Sequence, residues 1–383
     1  MAKKNIFSAK KCIPIFVAVV VLVLLCVGTV IDSNEFSSHN PQTATKPYIE
    51  LPLLDEKQVL VSDIVAEWLK GETKGKELYE KYSAVGRVYS AKSVTIQYSI
   101  HDIPAGIEVK RQVVELSENK AFENSKKIDL PGTDRKIRFD YLFTNRTYYY
   151  RVTAYLSDGS KIDSRGQFET ADTPRIISGE CMWNMRDIGG VQTLDGKRIK
   201  QGLVYRGVEL DGAVYEKFYI TEASAKVMTD QLGIKSEIDL RAPNDRIKDM
   251  LGPGINHTIY GTYAYVDSLV PNYWESYRQL FSDLSQKENY PVYIHCTYGK
   301  DRTGTVCYLL QLLLGVSEED AFKEWEISVL LDGKIDYTSM EDYIEELKKF
   351  DGDTMQEKAE NFLLSCGVKQ QEIDNIREIL LED

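Results

Sequence analysis

Positive charge is in deficit in this chain. Lys and Arg number 47 against 59 Asp and Glu, a formal net charge of −12. A nucleic-acid binder would carry a basic footprint, so no nucleic-acid partner is expected. Histidine is also scarce, at four residues, and none of them stands at metal-ligand spacing. The six cysteines include no C-x-x-C pair. No metal and no cofactor is therefore expected, and a disulfide-dense small scaffold is excluded. Disorder is excluded as well, because 43% of residues are apolar and 28% charged. The 383 residues leave room for two or three domains.

One absence is local. Residues 1–31 contain no Asp or Glu, while Lys3, Lys4, Lys10 and Lys11 precede an uncharged run from Ile13 to Ile31. At 1.5 Å per residue that run spans about 28 Å as a helix, close to the ~30 Å of a bilayer core. We expect a cytoplasmic basic end over 1–12 and a transmembrane helix over 13–31. The positive-inside rule then places the remainder outside the cytoplasm. A cleaved signal peptide is the alternative, with Val27-Gly28-Thr29 as a weak site, and would make the protein secreted. A lipoprotein at Cys26 fits less well, since Leu25 precedes it.

Residues 32–83 read as a polar stalk carrying a short helical stretch, with Ile64, Val65, Trp68 and Leu69 at helical spacing. From 84 to 173 the period becomes two. Val94, Ile96, Tyr98 and Ile100 alternate with polar residues, as do Tyr148, Tyr150, Val152 and Ala154. Turn residues between the runs point to a small all-β sandwich. The segments from Leu142 to Val152 and from Ser164 to Thr170 resemble the E–F corner, F strand and last strand of fibronectin type III domains. No catalytic constellation lies there, so spacing or docking is the expected role.

Over 174–383, short apolar runs alternate with helical patterns, the signature of an α/β domain. Within it, Val292 to Ile294 reads as a buried strand and Thr305 to Leu314 as an apolar helix, with Gly315 suited to its C-terminal cap. Cys296 to Arg302 is then a loop joining a strand to a helix N-terminus. Successive amides in such a loop converge into an anion cradle, and the helix dipole adds positive potential. Arg302 offers a planar fork matched to two phosphate oxygens. A thiol in that field ionises readily. A thiolate facing a bound phosphate is an apparatus for displacement through a phosphocysteine. A merely structural cysteine would not sit beside Lys300, Asp301 and Arg302. The displacement needs no metal.

The run His295-Cys296-Thr297-Tyr298-Gly299-Lys300-Asp301-Arg302-Thr303-Gly304 resembles the active-site loop of cysteine-dependent tyrosine phosphatases. The Lys300-Asp301 pair after Gly299 looks like the bacterial branch of atypical tyrosine and phosphoinositide phosphatases. Asn184-Met185-Arg186-Asp187-Ile188-Gly189-Gly190 is similar to that branch's N-terminal signature. Gly202 to Leu210 resembles its next strand, with Gly207 where Ser is usual, and Ile238-Asp239-Leu240-Arg241 its D-L-R strand end. The resemblance covers about 175–350. It implies a central, mostly parallel sheet flanked by helices.

The resemblance also implies roles. Cys296 would be the nucleophile and Arg302 the phosphate clamp, with Thr297, Tyr298, Gly299 and Lys300 lining the cradle. Lys300 would add charge at the mouth, suiting a second phosphate. Thr303 would bond the sulfur, and His295 would order the loop from behind. Arg186, Asp187, Arg206 and Arg241 would form one ion network beneath it. For the general acid the candidates are Asp301, then Asp239, then Asp267. Three readings stay open: a membrane-anchored protein-tyrosine or dual-specificity phosphatase, the same chemistry on phosphoinositides or other phosphorylated small molecules, and a silent adhesion or sensor protein. Cys307 is expected in the core, and Cys181 and Cys366 either pair or stay free. Helix N-caps are expected at Ser317 and Ser339, and an amphipathic helix over about 369–381.

Overall fold

The computed structural model describes residues 46–72, 75–83, 90–246 and 248–382. The expected basic end and membrane-spanning run, 1–31, lie outside the described residues. Among the described residues no helix is long and apolar enough to cross a membrane.

The front half is antiparallel. Its strands are β1 (Tyr48–Glu50), β2 (Val94–Gln97), β3 (Ser99–His101), β4 (Val109–Ser117), β5 (Lys126–Pro131), β6 (Lys136–Phe139), β7 (Thr147–Leu156) and β8 (Lys161–Glu169). β1 pairs with β3 and β2 with β6, while the other four form a sheet in the order β5-β4-β7-β8. Alternation drives this: Tyr148, Tyr150, Val152 and Ala154 of β7 turn inward and pack with Ile96, Val114, Phe139 and Phe168. The Tyr148 hydroxyl reaches back across the corner and accepts the Phe143 amide at 2.8 Å.

The expected stalk ends earlier than its polar composition suggested. Tyr48–Glu50 is a strand of the front half, paired Ile49 to Ile100. The next two helices, α1 (Asp63–Trp68) and α2 (Gly75–Tyr82), bury Ile64, Val65, Trp68 and Leu78 against Ile176, Ile327, Val329 and Leu330 of the back half. Apolar burial thus makes this stretch part of the folded body.

The back half has one six-stranded sheet, built from β9 (Arg175–Ile176), β10 (Arg186–Asp187), β11 (Val204–Gly207), β12 (Ser236–Asp239), β13 (Asn256–Ile259) and β14 (Val292–His295). Its order is β13-β12-β14-β11-β10-β9. The four strands β13, β12, β14 and β11 run parallel, and the β10 and β9 edge is antiparallel. β14 is buried on both faces. Val292 and Ile294 join one core and Tyr293 the other, as a period of two requires.

The helices are α3 (Glu222–Lys226), α4 (Trp274–Leu284), α5 (Arg302–Leu313), α6 (Glu318–Glu326), α7 (Val329–Asp332), α8 (Tyr337–Leu347), α9 (Met355–Ser365) and α10 (Gln370–Leu380). α5 is mostly apolar and buried from Thr303 to Leu313, as a helix enclosed by its neighbours must be. Gly315, at φ +87°, ends it in the left-handed region. Ser317 caps α6 as expected. The other expected cap differs: the cap of α8 lies three residues earlier, with the Asp336 carboxylate accepting the Ser339 amide at 3.0 Å. Asp outcompetes Ser here because an ionised acceptor binds amides at a helix start more strongly. α10 buries Ile373, Ile376 and Leu380. Cys181, Cys296, Cys307 and Cys366 are all free thiols, so Cys181 and Cys366 do not pair. Burial pushes the Cys307 thiol up to about 12, which fits an inert core residue.

Candidate active site

Gly207, Asp239 and His295 sit side by side at the carboxyl ends of three parallel strands. The loops leaving that edge form the site, as in other open α/β sheets. The Cys296–Arg302 loop runs from β14 into the first residue of α5.

The loop's carbonyls are anchored outward. Thr297 O accepts the Glu209 amide at 3.1 Å. The Asn184 side-chain amide donates to Tyr298 O at 3.1 Å and Gly299 O at 3.2 Å. Arg206 Nη2 donates to Gly299 O at 2.7 Å. Planar trans peptides point N–H opposite to C=O, so these anchors aim the amides the other way. Among the described residues, the amides of Thr297 to Asp301 donate to no protein acceptor. A row of unpaired donors around a buried Cys296 suits an anion with several oxygens.

Arg302 differs from every other deeply placed arginine. Arg175, Arg186, Arg206 and Arg241 each hold a carboxylate. Arg302 makes no ion pair among the described residues. Its contacts are long, 3.4 Å from Nη1 to Leu240 O and 3.4 Å from Nη2 to Thr297 Oγ1. Its fork is left without a carboxylate among the described residues.

Beneath the loop lies a network smaller than the one expected. Glu324 bridges Arg186 Nε and Arg206 Nη1, at 2.6 Å each. Glu324 was not legible as a partner, because it comes from α6, more than a hundred residues away. Arg186 also donates to Asn184 Oδ1 at 2.8 Å. The other two expected members lie elsewhere. Asp187 faces the front half, paired with Arg175 at 2.8 Å. Arg241 is held by Glu209, Asp211 and Asp239 at 2.7, 3.0 and 2.8 Å. Geometry separates them: neighbours along β10 point to opposite faces.

His295 is fully buried behind the loop. Its Nε2 lies 3.0 Å from Glu237 Oε1 and its Nδ1 3.3 Å from Cys296 O. Burial opposes charge on the ring, but Asp239 and then Glu237 outweigh it and hold its pKa above the ordinary value. His257 Nδ1 lies 2.8 Å from the other Glu237 oxygen. Burial opposes ionisation of Glu237, yet the two histidines hold it well below the usual carboxylate range.

The three candidate acids separate clearly. Asp239 is locked against Arg241; although burial opposes its charge, His295 and Arg241 hold its pKa low, so it stays an anion. Asp267 is exposed on a turn between Tyr265 and Leu269. Asp301 is half-buried in the loop itself, and its Oδ1 accepts the Tyr265 hydroxyl at 2.7 Å. Tyr265 has φ +56°, a conformation costing a bulky residue about 1–2 kcal/mol.

Two cradle residues differ from expectation. Lys300 is not a free cation at the mouth: its ammonium is bound to Asp332 at 2.9 Å and to Lys334 O at 2.7 Å, and lies over the Tyr298 ring. The carboxylate is the stronger partner within its reach. Thr303 Oγ1 is buried and has no hydrogen-bond partner among the described residues, the sulfur included. Tyr298 packs against Tyr215 and Phe218, with centroids 4.8 and 5.6 Å away.

Gly299, at φ +67°, passes so close to Gly207 that a Cβ would stand 2.1 Å from Gly207 O. A Cβ on Gly207 would meet the Tyr293 hydroxyl at 2.5 Å. That hydroxyl donates to Val208 O at 2.6 Å. The departure to Gly at 207 is thus paired with the bulk of Tyr293 in the next strand.

A loop between a parallel strand and a buried helix thus carries a buried thiol and, among the described residues, a guanidinium without a carboxylate partner. Residues 177–382 match the tyrosine phosphatase family, and the chain belongs to it. A putative tyrosine-protein phosphatase of Cupriavidus necator is 25% identical over 171 residues, covering 38% of this chain and 59% of that protein. The match thus spans under two thirds of that relative's length. Among solved structures, the core catalytic domain of the PP-IP phosphatase Siw14 from S. cerevisiae, in complex with citrate, is 18% identical. The alignment covers 43% of this chain and 93% of that one, with a TM-score of 0.30.

Proposed function

We propose that this protein hydrolyses phosphate monoesters of protein side chains, phosphotyrosine first, through a phosphocysteine on Cys296. The observation that carries the reading is the pairing of free amides over 297–301 with an arginine that has no acid partner among the described residues. The amides and Arg302 bind the equatorial oxygens and stabilise the charge that spreads over them in the transition state. The Cys296 sulfur attacks phosphorus in line with the leaving oxygen. Asp301 gives that oxygen its proton and later activates water, a contribution of about 10²–10⁴ in rate. Asn184, Arg206 and His295 hold the loop.

Phosphoinositides are the second reading, and the engagement of Lys300 with Asp332 weighs against it. The cation expected to meet a second phosphate is already neutralised. We further propose that the front sandwich is a fibronectin type III-like domain. Its β5-β4-β7-β8 order and the Tyr148 corner support this. The run over 13–31 is proposed to anchor the chain, with catalysis outside the cytoplasm. Resistance of the native protein to carbonate extraction tests the anchor.

The test of the activity is phosphate release by the full chain, with reductant, from phosphotyrosine, phosphoserine and phosphothreonine peptides and from phosphoinositides. Release from phosphotyrosine peptides that vanishes in Cys296→Ser is the expected result. Unchanged release by that variant would overturn the mechanism.

A further inference from the structure

The general acid of the proposed reaction is held by a residue that no sequence motif marks. Tyr265 lies in the segment joining β13 to α4, and three contacts pin it. Its amide donates to Thr305 Oγ1 at 3.0 Å, and the same hydroxyl donates to Asp301 O at 3.0 Å. Its carbonyl accepts Ser268 Oγ at 2.6 Å. Its own hydroxyl donates to Asp301 Oδ1 at 2.7 Å. Asp301 Oδ2 makes no hydrogen bond to the protein among the described residues. A tyrosine kept at φ +56° is an outlier that the surroundings must enforce, and such outliers gather at functional sites.

We propose that Tyr265 is a positioning residue that fixes the Asp301 carboxyl group with Oδ2 presented to the leaving group. The inference rests on the phosphatase reading above and deepens it. With Oδ1 engaged as an acceptor of the tyrosine hydroxyl, the acid proton resides on Oδ2. In the first step the S–P bond forms as the P–O bond to the leaving group breaks. The Oδ2 proton moves to the departing oxygen. In the second step the Asp301 carboxylate takes a proton from water as that water's oxygen attacks phosphorus and the S–P bond breaks. Inorganic phosphate and a reprotonated Asp301 result, so both proton transfers use the same oxygen. A carboxyl group free to rotate would present that oxygen only part of the time.

The distinguishing property is dependence on the leaving group. A good leaving group such as 4-nitrophenolate needs little protonation, whereas an alkoxide such as serine's needs it fully. Rates should be measured with the full chain on a series of substituted phenyl phosphates and a phosphoserine peptide. Wild type, Asp301→Asn, Tyr265→Phe and Cys296→Ser are compared. Tyr265→Phe is expected to lose roughly tenfold or more on the phosphoserine peptide and only about two- to threefold on 4-nitrophenyl phosphate, a part of the general-acid effect. Asp301→Asn should show a steeper version of the same trend, and Tyr265→Phe should add nothing in its presence. If Asp301→Asn steepens the dependence and Tyr265→Phe does not, the positioning role falls while the phosphatase reading stands. If neither steepens it, the acid assignment and this inference fall together. Unchanged hydrolysis by Cys296→Ser would instead condemn the parent reading.

A merely structural tyrosine would lower all rates by one factor. Tyr265→Asn separates the two cases even if Tyr265→Phe folds poorly. Asn tolerates a positive φ but does not reach Asp301, so the variant should fold at least as well and still lose the phosphoserine reaction selectively. A uniform loss across the series would overturn the proposal.

Discussion

Replacing Glu324 by Ala should destabilise the protein strongly. The side chain is 9% exposed and sits between Arg186 and Arg206, which are 1% and 0% exposed. Both bonds are 2.6 Å and charge-assisted. Hydrogen bonds to charged groups contribute about 1.5–3 kcal/mol each, which gives roughly 3–6 kcal/mol for the pair. Removing one partner of a buried ionic set costs about 3–5 kcal/mol, because the remaining charge stays desolvated. Arg186 keeps Asn184 Oδ1 and Ser328 Oγ, and Arg206 keeps Gly299 O, so the lower end applies. We expect a loss of about 3 kcal/mol in urea unfolding, or roughly 6–12 °C in Tm for a domain of this size. Burial opposes ionisation of Glu324, but the two arginines outweigh it and depress its pKa. The sign follows: its contribution is full above the unfolded carboxyl value, about 4.3, and is lost as pH falls through the depressed folded value. Glu324→Gln should therefore differ from wild type most at neutral pH and least in strong acid. A loss below about 1 kcal/mol at neutral pH would refute the reasoning.

Three further outcomes are expected. Gly207→Ser should cost about 1–3 kcal/mol by overpacking against the Tyr293 hydroxyl, and Tyr293→Phe should recover part of it; additive losses in a double-mutant cycle by urea unfolding would contradict this. His295 has a raised folded pKa, so its charge stabilises fully below about 6.5 and the contribution fades as pH rises through the higher folded value. Wild-type stability should thus decline above neutrality, and His295→Asn should be lower throughout with a flatter profile in that window. Arg175→Met should cost about 3–5 kcal/mol by stranding the buried Asp187 carboxylate, with calorimetry as the check.

Much of this architecture was written locally. The alternation over 94–100 and 147–156, the apolar stretch that became α5, and the Gly315 stop each depend on neighbours within one element. The placement of Cys296 to Arg302 between a strand and a helix was legible for the same reason: β14 ends at His295 and α5 begins at Arg302, each set by its own apolar run. What escaped is what the tertiary fold assembles. Nothing near Arg186 announced Glu324, and nothing around Tyr265 announced Asp301. The expected four-member network failed because Arg186 and Asp187, adjacent in the chain, face opposite sides of β10. Lys300 was misjudged because Asp332, its partner, lies on a helix thirty-two positions later. Local polarity and helical spacing over 32–83 say nothing about Tyr48–Glu50, a strand that finds its pair fifty residues away.

Arg175 ties the two halves together. Its guanidinium donates to Leu142 O at 3.1 Å and Tyr141 O at 2.7 Å on the sandwich side, and to Asp187 at 2.8 Å on the catalytic side. Gln201 clasps the same corner, donating to Thr144 O at 2.9 Å and accepting the Thr144 amide at 2.9 Å. Trimming the chain to its back half would open this joint to solvent beside the strand that carries Arg186. A version lacking the front half should therefore melt at a lower temperature than the full chain.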